Sequence, residues 1–127
     1  MTYKVLIVDD SKLARMAVAK ALTALRPEWT RVEAANADDA LALATDSDID
    51  VTLLDFNMPG RNGLELAAEL RALNPSMPVA VITANIQTEI VTRAQEVGAS
   101  FLAKPLTQPA LAAFLDEAVQ RLQTARP

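Results

Sequence analysis

Five short apolar runs recur along this chain, and a longer segment of helical period follows each one. The runs are Val5–Val8, Arg31–Ala34, Val51–Leu54, Val79–Ile82 and Ser100–Leu102. This alternation leaves few folds open. Runs without clear polar alternation are expected to be buried on both faces, which calls for a parallel sheet between two helical layers. Five βα units in succession, with right-handed crossovers, therefore predict an α/β protein with a doubly wound, five-stranded parallel sheet.

The helical segments carry their own start and stop signals. The first is expected over Ser11–Leu25, with Ala14, Ala17, Val18, Ala21, Leu22 and Leu25 on the core stripe and Lys12, Arg15 and Lys20 off it. The second opens at Asn36, an N-cap residue, with Asp38 and Asp39 in its first turn, where the helix dipole favours them. The third covers Gly63–Ala72 and stops before Asn74-Pro75. The fourth covers Ile86–Val97 and ends at Gly98. The fifth begins near Thr107 and puts Leu111, Phe114, Leu115, Ala118 and Leu122 on one face, and Gln123–Pro127 is expected to fray. At 127 residues the chain suits one domain, with its core over about residues 4–122. No internal repeat or low-complexity linker divides it.

Ligands of open α/β sheets sit at the carboxyl ends of the strands, so the residues that follow each strand matter most. Asp9 and Asp10 follow the first, Asp55 the third, Thr83 and Asn85 the fourth, and Lys104-Pro105 the fifth. A strand order of 2-1-3-4-5 would bring Asp9, Asp10, Asp55, Thr83 and Lys104 to one patch. Taken singly, each has an ordinary reading. An Asp pair can be a turn and an N-cap, Thr83 can cap a helix, and a lone surface lysine is usually solvated. Their joint placement, each at the end of a different strand, is what those readings explain badly. Two like charges about 4 Å apart repel by about 4 kcal/mol at an effective dielectric of about 20. A hard cation and the Lys104 ammonium would offset that cost, and Mg²⁺ prefers such oxygen ligands.

Composition narrows the chemistry further. Cysteine and histidine are both absent, which excludes disulfides, thiolate metal sites and the commonest general base. The net charge is −4 with no basic run, so direct nucleic-acid binding is not expected. The apolar runs are too short to span a membrane, and a cytoplasmic location is expected.

The stretches VLIVDDS, LLDFNMPGRNG, VITAN and FLAKP together resemble the receiver (response regulator) domains of bacterial two-component signalling, the single-domain chemotaxis regulators included. The resemblance runs from Lys4 to about Leu122 and implies the flavodoxin-like (βα)5 fold with order 2-1-3-4-5, an order for which a chemotaxis regulator of this family is a standing example. It also implies a set of roles. Asp55 is the phosphoacceptor, taking a phosphoryl group from a phosphohistidine on a histidine kinase or histidine phosphotransfer protein. Mg²⁺ (or Mn²⁺) is held by Asp10 and Asp55 through carboxylates, by Asn57 through its backbone carbonyl, and by Asp9 through water. Lys104 and Thr83 meet phosphoryl oxygens, and the Lys104–Pro105 bond is cis. Thr83 and Phe101 form the switch that remodels the face of the fourth helix, fifth strand and fifth helix. Phe101 stands where chemotaxis relatives commonly have Tyr, and its alternative is a plain core aromatic. Asn57 and Asn85 occupy positions that tune phosphoryl lifetime, and Met58-Pro59-Gly60 and Gly63 shape the loop around the acceptor.

The residues also suggest a docking surface. Lys12, Leu13, Arg15 and Met16 lie off the core stripe of the first helix, and Leu13 and Met16 share a face. With the loop after Pro105 they are expected to meet the phosphodonor helices, the alternative being contact with neighbouring loops. Rival functions read less well. A Mg²⁺-dependent small-molecule phosphatase needs a general acid and usually a lid, but Asp55-Phe56-Asn57 offers no second carboxylate two residues on. A flavin binder would want a phosphate loop where Asp9 and Asp10 stand, and aromatic walls that a 4% aromatic content does not furnish. A receiver-like module that binds partners without phosphorylation is the remaining alternative. The expected protein is a phosphoacceptor and not a multiple-turnover enzyme.

Overall fold

A computed structural model describes residues 2–58, 62–84 and 87–125. Pro59, Gly60, Asn85 and Ile86, named above, lie outside the described residues. The elements alternate along the chain as β1 (Lys4–Val8), α1 (Lys12–Leu25), β2 (Thr30–Ala34), α2 (Ala37–Asp46), β3 (Val51–Asp55), α3 (Gly63–Leu73), β4 (Val79–Thr83), α4 (Thr88–Glu96), β5 (Ser100–Ala103) and α5 (Gln108–Ala125). All pairings are parallel and the strand order is 2-1-3-4-5. This is the doubly wound α/β sheet that the alternation predicts, in the flavodoxin-like order that the resemblance implies.

Side chains alternate across each strand, and this divides the core in two. Val5, Ile7, Val51, Leu53, Ala80 and Ile82 point to one face, where Leu22 of α1 and Leu111, Phe114, Leu115 and Leu122 of α5 cover them. Leu6, Val8, Leu54, Val79 and Val81 point to the other, covered by Ala40 of α2, Leu66 and Leu70 of α3 and Ala94 of α4. β3 and β4 are buried along their whole length, whereas β2, at the sheet edge, buries only Ala34. β3 and β4 are therefore mostly apolar, with Thr52, Asp55 and Thr83 as their buried polar residues, and the edge strand carries Arg31 and Glu33 at no burial cost.

The helix starts follow local chemistry. Ser11 accepts from the Ala14 N–H, Asn36 from Asp39 and Asn62 from Glu65, each satisfying a donor the helix cannot. Thr107 likewise accepts from the Ala110 N–H at 3.3 Å. Gly98 ends the α4 segment at φ +76°, a conformation that favours glycine. One expectation needs correction. On α1, Ala17 is exposed and Ala19 is buried, so the stripe lies rotated from the expected one. The Arg15 side chain, off that stripe, is only 14% exposed and turns toward β1 and β2. α5 is helical to Ala125, and Arg126 and Pro127 lie outside the described residues.

At the amino ends of the strands, Trp29 is buried just before β2. The Tyr3 ring meets it edge-on at 5.0 Å, and the Arg26 guanidinium lies 5.7 Å from its centroid. This aromatic corner closes the end of the sheet opposite the acidic residues.

Candidate functional site

The carboxyl ends of β1, β3, β4 and β5 deliver the predicted residues to one rim. Asp55 is the last residue of β3 and Thr83 the last of β4, so both start from fixed backbone. Asp9 follows β1 and its N–H donates to the Ala34 carbonyl at 3.1 Å, extending the pairing with β2 by one residue. The Lys104 N–H donates to the Thr83 carbonyl at 2.9 Å, and the Lys104–Pro105 bond is cis. Asp9, Asp55 and Thr83 are buried, at 6%, 4% and 0% exposure, while Asp10 is exposed.

Carboxylate oxygens of Asp9, Asp10 and Asp55 lie within 4.8 Å of one another. The Lys104 ammonium lies 2.6 Å from Asp55 Oδ1. That oxygen is buried, and no well-aligned hydrogen bond reaches it among the described residues, so the lysine charge is what meets it. Burial pushes the Asp9 carboxyl above its usual range, and the charges of Asp55 and Asp10 add to that rise. The Ser11 N–H, 2.9 Å from Asp9 Oδ1, and Lys104 act against it. A crowded, oxygen-only donor set with an under-satisfied buried oxygen fits a hard divalent cation of the Mg²⁺ or Mn²⁺ kind.

The loop beyond Asp55 is drawn tight by glycine. The Gly63 N–H donates to the Phe56 carbonyl at 2.8 Å, which closes the loop at the first residue of α3. A Cβ on Gly63 would lie 2.7 Å from the Asp55 carbonyl oxygen and 2.8 Å from Phe56 Cα, so only glycine lets α3 come this close to the acceptor strand. Asn57 is exposed beside the rim, and Met58 is partly buried against the α2–α4 half of the core. Phe101 is half-buried on β5 and lines an open cleft with Gln95, Ser100, Glu117 and Arg121. Leu13 and Met16 on α1 are 78% and 54% exposed.

Arg15, expected on the docking surface, and Glu33, which sequence reasoning did not assign, bear on the rim. Arg15 Nη1 donates to the Asp9 carbonyl at 2.6 Å, and Arg15 Nε donates to Glu33 Oε1 at 3.0 Å. Arg15 and Glu33 are 18 positions apart, so no periodicity links them. The one available signal was the strand order, which sets β1 beside β2 and hence an arginine after one near a carboxylate on the other.

An acid-lined rim at the carboxyl ends of a 2-1-3-4-5 sheet places the chain among flavodoxin-like α/β folds, and similarity to known proteins narrows the class. The chain belongs to the response regulator receiver domain family, whose model matches residues 5–116. It is 34% identical to the chemotaxis protein CheY-3 of Vibrio cholerae over 122 residues, which cover 94% of this chain and 93% of that one. It is 39% identical to the glycerol metabolism activator of Pseudomonas putida over 98 residues, covering 76% of this chain and 44% of the relative. A cyclic di-GMP phosphodiesterase of Thermotoga maritima is 38% identical over 103 residues, covering 80% of this chain and 27% of that protein. The chain thus spans less than half the length of these last two relatives. Among solved structures, Vibrio cholerae chemotaxis protein CheY4 superposes with a TM-score of 0.83 at 30% identity, covering 93% of this chain and 99% of that one. The chain is accordingly a receiver domain of the two-component signalling family. Among the described residues, no helix is long and apolar enough to cross a membrane.

Proposed function

We propose that Asp55 accepts a phosphoryl group from a phosphohistidine on a histidine kinase or histidine phosphotransfer protein, and that residues 4–122 respond as one unit. The observation that carries this reading is the Lys104 ammonium 2.6 Å from a buried Asp55 oxygen, inside a cluster of three carboxylates. A carboxylate oxygen of Asp55 attacks phosphorus. The new P–O bond forms as the P–N bond breaks, and the imidazole of the donor keeps that electron pair. Asp10 and Asp55 would hold Mg²⁺ or Mn²⁺ by carboxylate, Asn57 by its backbone carbonyl, and Asp9 through water. When bound, the ion supplies positive charge against the phosphoryl oxygens. Lys104 exchanges its contact with Asp55 for one with a phosphoryl oxygen, and the Thr83 hydroxyl donates to another. Such preorganised donors do most of the work in phosphoryl transfer.

Thr83 ends β4 directly beside Ala103 of β5. Movement of its hydroxyl toward the phosphoryl group would be felt by Phe101 two residues earlier on β5, and through it by the face of α4, β5 and α5. The half-buried Phe101 ring has room to turn, since it borders an open cleft and not a filled core. The exposed Leu13 and Met16 side chains, near the rim at the start of α1, form the surface for the phosphodonor helices. We place the protein in the cytoplasm, where such donors act.

The test is intact mass after incubation with Mg²⁺ and acetyl phosphate, with Asp55→Asn alongside. A gain of one phosphoryl group, labile to hydroxylamine and absent from the variant, is expected. No gain, even with a phosphorylated kinase as donor, refutes the phosphoacceptor reading and favours a module that binds without phosphorylation.

A further inference from the structure

We infer that Arg15 is a positioning residue for the acidic loop, fixing the Asp9–Asp10 peptide so that the Asp10 carboxylate is aimed at the cation site. The inference rests on the metal site proposed above.

Three bonds hold the turn that carries both carboxylates. The Asp9 N–H donates to the Ala34 carbonyl of β2 at 3.1 Å, and the Ser11 N–H donates to the Asp9 carboxylate at 2.9 Å. The third is the donation of Arg15 Nη1 to the Asp9 carbonyl at 2.6 Å. That carbonyl belongs to the peptide joining Asp9 to Asp10. A peptide is planar, so fixing its oxygen fixes its plane and the direction in which the Asp10 Cα leaves it. Asp10 is the exposed member of the cluster, and its carboxylate accepts no hydrogen bond among the described residues. Its aim is therefore set from its backbone.

A guanidinium suits this task because its planar fork offers two donors in fixed directions. Arg15 uses both. Nε donates to Glu33 Oε1 at 3.0 Å, which locks the guanidinium against β2 and leaves Nη1 pointing at Asp9. The Arg15 side chain is only 14% exposed, so it is held rather than waving in solvent. Glu33 also answers an electrostatic objection. A bare positive charge beside a cation site would weaken cation binding, and the Glu33 carboxylate offsets much of that charge.

Charge and positioning thus predict opposite signs. If Arg15 acted only as a charge, its removal would tighten cation binding. If it positions Asp10, its removal weakens binding, by an amount of the order seen when partners that orient metal ligands are lost, roughly tenfold or more.

The experiment is Mn²⁺ titration of the unphosphorylated full chain, followed by the paramagnetic resonance signal of free Mn²⁺. Arg15→Lys keeps the charge and loses the fork, and its dissociation constant is expected to rise about tenfold. Arg15→Gln is expected to bind more weakly as well, by a smaller factor because a positive charge is also lost. In an Asp10→Ala background, Arg15→Lys should change nothing further, whereas a general loosening of the fold would weaken both backgrounds. Unchanged binding by Arg15→Lys, tighter binding by Arg15→Gln, or an equal loss in the Asp10→Ala background would each overturn the inference. If the wild-type chain bound no Mn²⁺, the proposed metal site would fall first and the inference with it.

Discussion

Removing one carboxylate from the rim should stabilise the metal-free protein, and Asp10 is the one to remove. Oxygens of Asp9, Asp10 and Asp55 lie within 4.8 Å of one another. At that spacing two full charges repel by about 3.5 kcal/mol at an effective dielectric of about 20, and by about 0.9 kcal/mol at the dielectric of water. Asp10 is exposed, so the lower figure governs its pairs. The Lys104 ammonium, 2.6 Å from Asp55, cancels much of the Asp10–Asp55 repulsion. The relief expected for Asp10→Ala is therefore about 1 kcal/mol. With an unfolding entropy of about 2.1 cal/mol/K per residue over the whole chain, this raises Tm by about 4 °C. Calorimetry in EDTA at low salt reads the shift directly, and added salt should shrink it. Mg²⁺ should then narrow or reverse the order, since a cation at about ten times its Kd stabilises the wild type by about 1.4 kcal/mol and the variant by less. A variant that melts at or below the wild type in EDTA would refute carboxylate crowding as a cost to this fold.

Three further outcomes are expected. Burial raises the Asp9 carboxyl above 3.8, so the folded protein holds that proton more tightly than the unfolded chain does. Stability owed to Asp9 therefore falls as pH rises from 3.8 through the raised folded value, and the penalty stays in force above it. Asp9→Asn still accepts from the Ser11 N–H. In metal-free urea titrations it should exceed the wild type at neutral pH and match it at about pH 3, and an equal gap at both would count against the reading. Gly63→Ala drives a Cβ to 2.7 Å from the Asp55 carbonyl and should cost about 1–3 kcal/mol, lowering Tm by about 4–11 °C; melting unchanged from wild type would show that α3 can retreat freely. Met16→Glu should slow phosphotransfer from the cognate donor severalfold while leaving phosphorylation by acetyl phosphate intact, as rapid-quench kinetics would report, and an unchanged donor rate removes Met16 from the docking surface.

Much of this was legible because the informative residues are tied to periodic ones. Asp55 and Thr83 could be placed from the apolar runs that precede them, as their backbones are the last rungs of β3 and β4. The strand order followed from asking which order gathers the polar residues. Details set by side-chain reach were less visible. Ala17 and Ala19 are equally apolar and differ only in the azimuth of α1, which the composition of the stripe leaves loose by a residue or two. Arg15 read as part of the docking patch on the first helix. Its actual position depends on a long side chain folding back six residues to a backbone carbonyl and across to a strand 18 positions away. Nothing in a one-dimensional pattern marks such a bond. Phe101 lay between two readings for a related reason, since a ring at a strand end can be covered or left open by helices that the strand itself does not specify.

The aromatic corner at the other end of the sheet has a spectroscopic consequence. Trp29 is the sole indole in the chain, buried beneath Arg26 and against Tyr3 before the first residue of β2. A strand of five residues separates it from the rim, a distance of about 17 Å. Its emission should therefore track loss of the fold while staying silent when a cation or a phosphoryl group arrives. The chain carries an internal gauge of its own integrity, optically insulated from its chemistry. A fluorescence melt of any rim variant thus reads folding through a probe that the occupant of the rim does not touch.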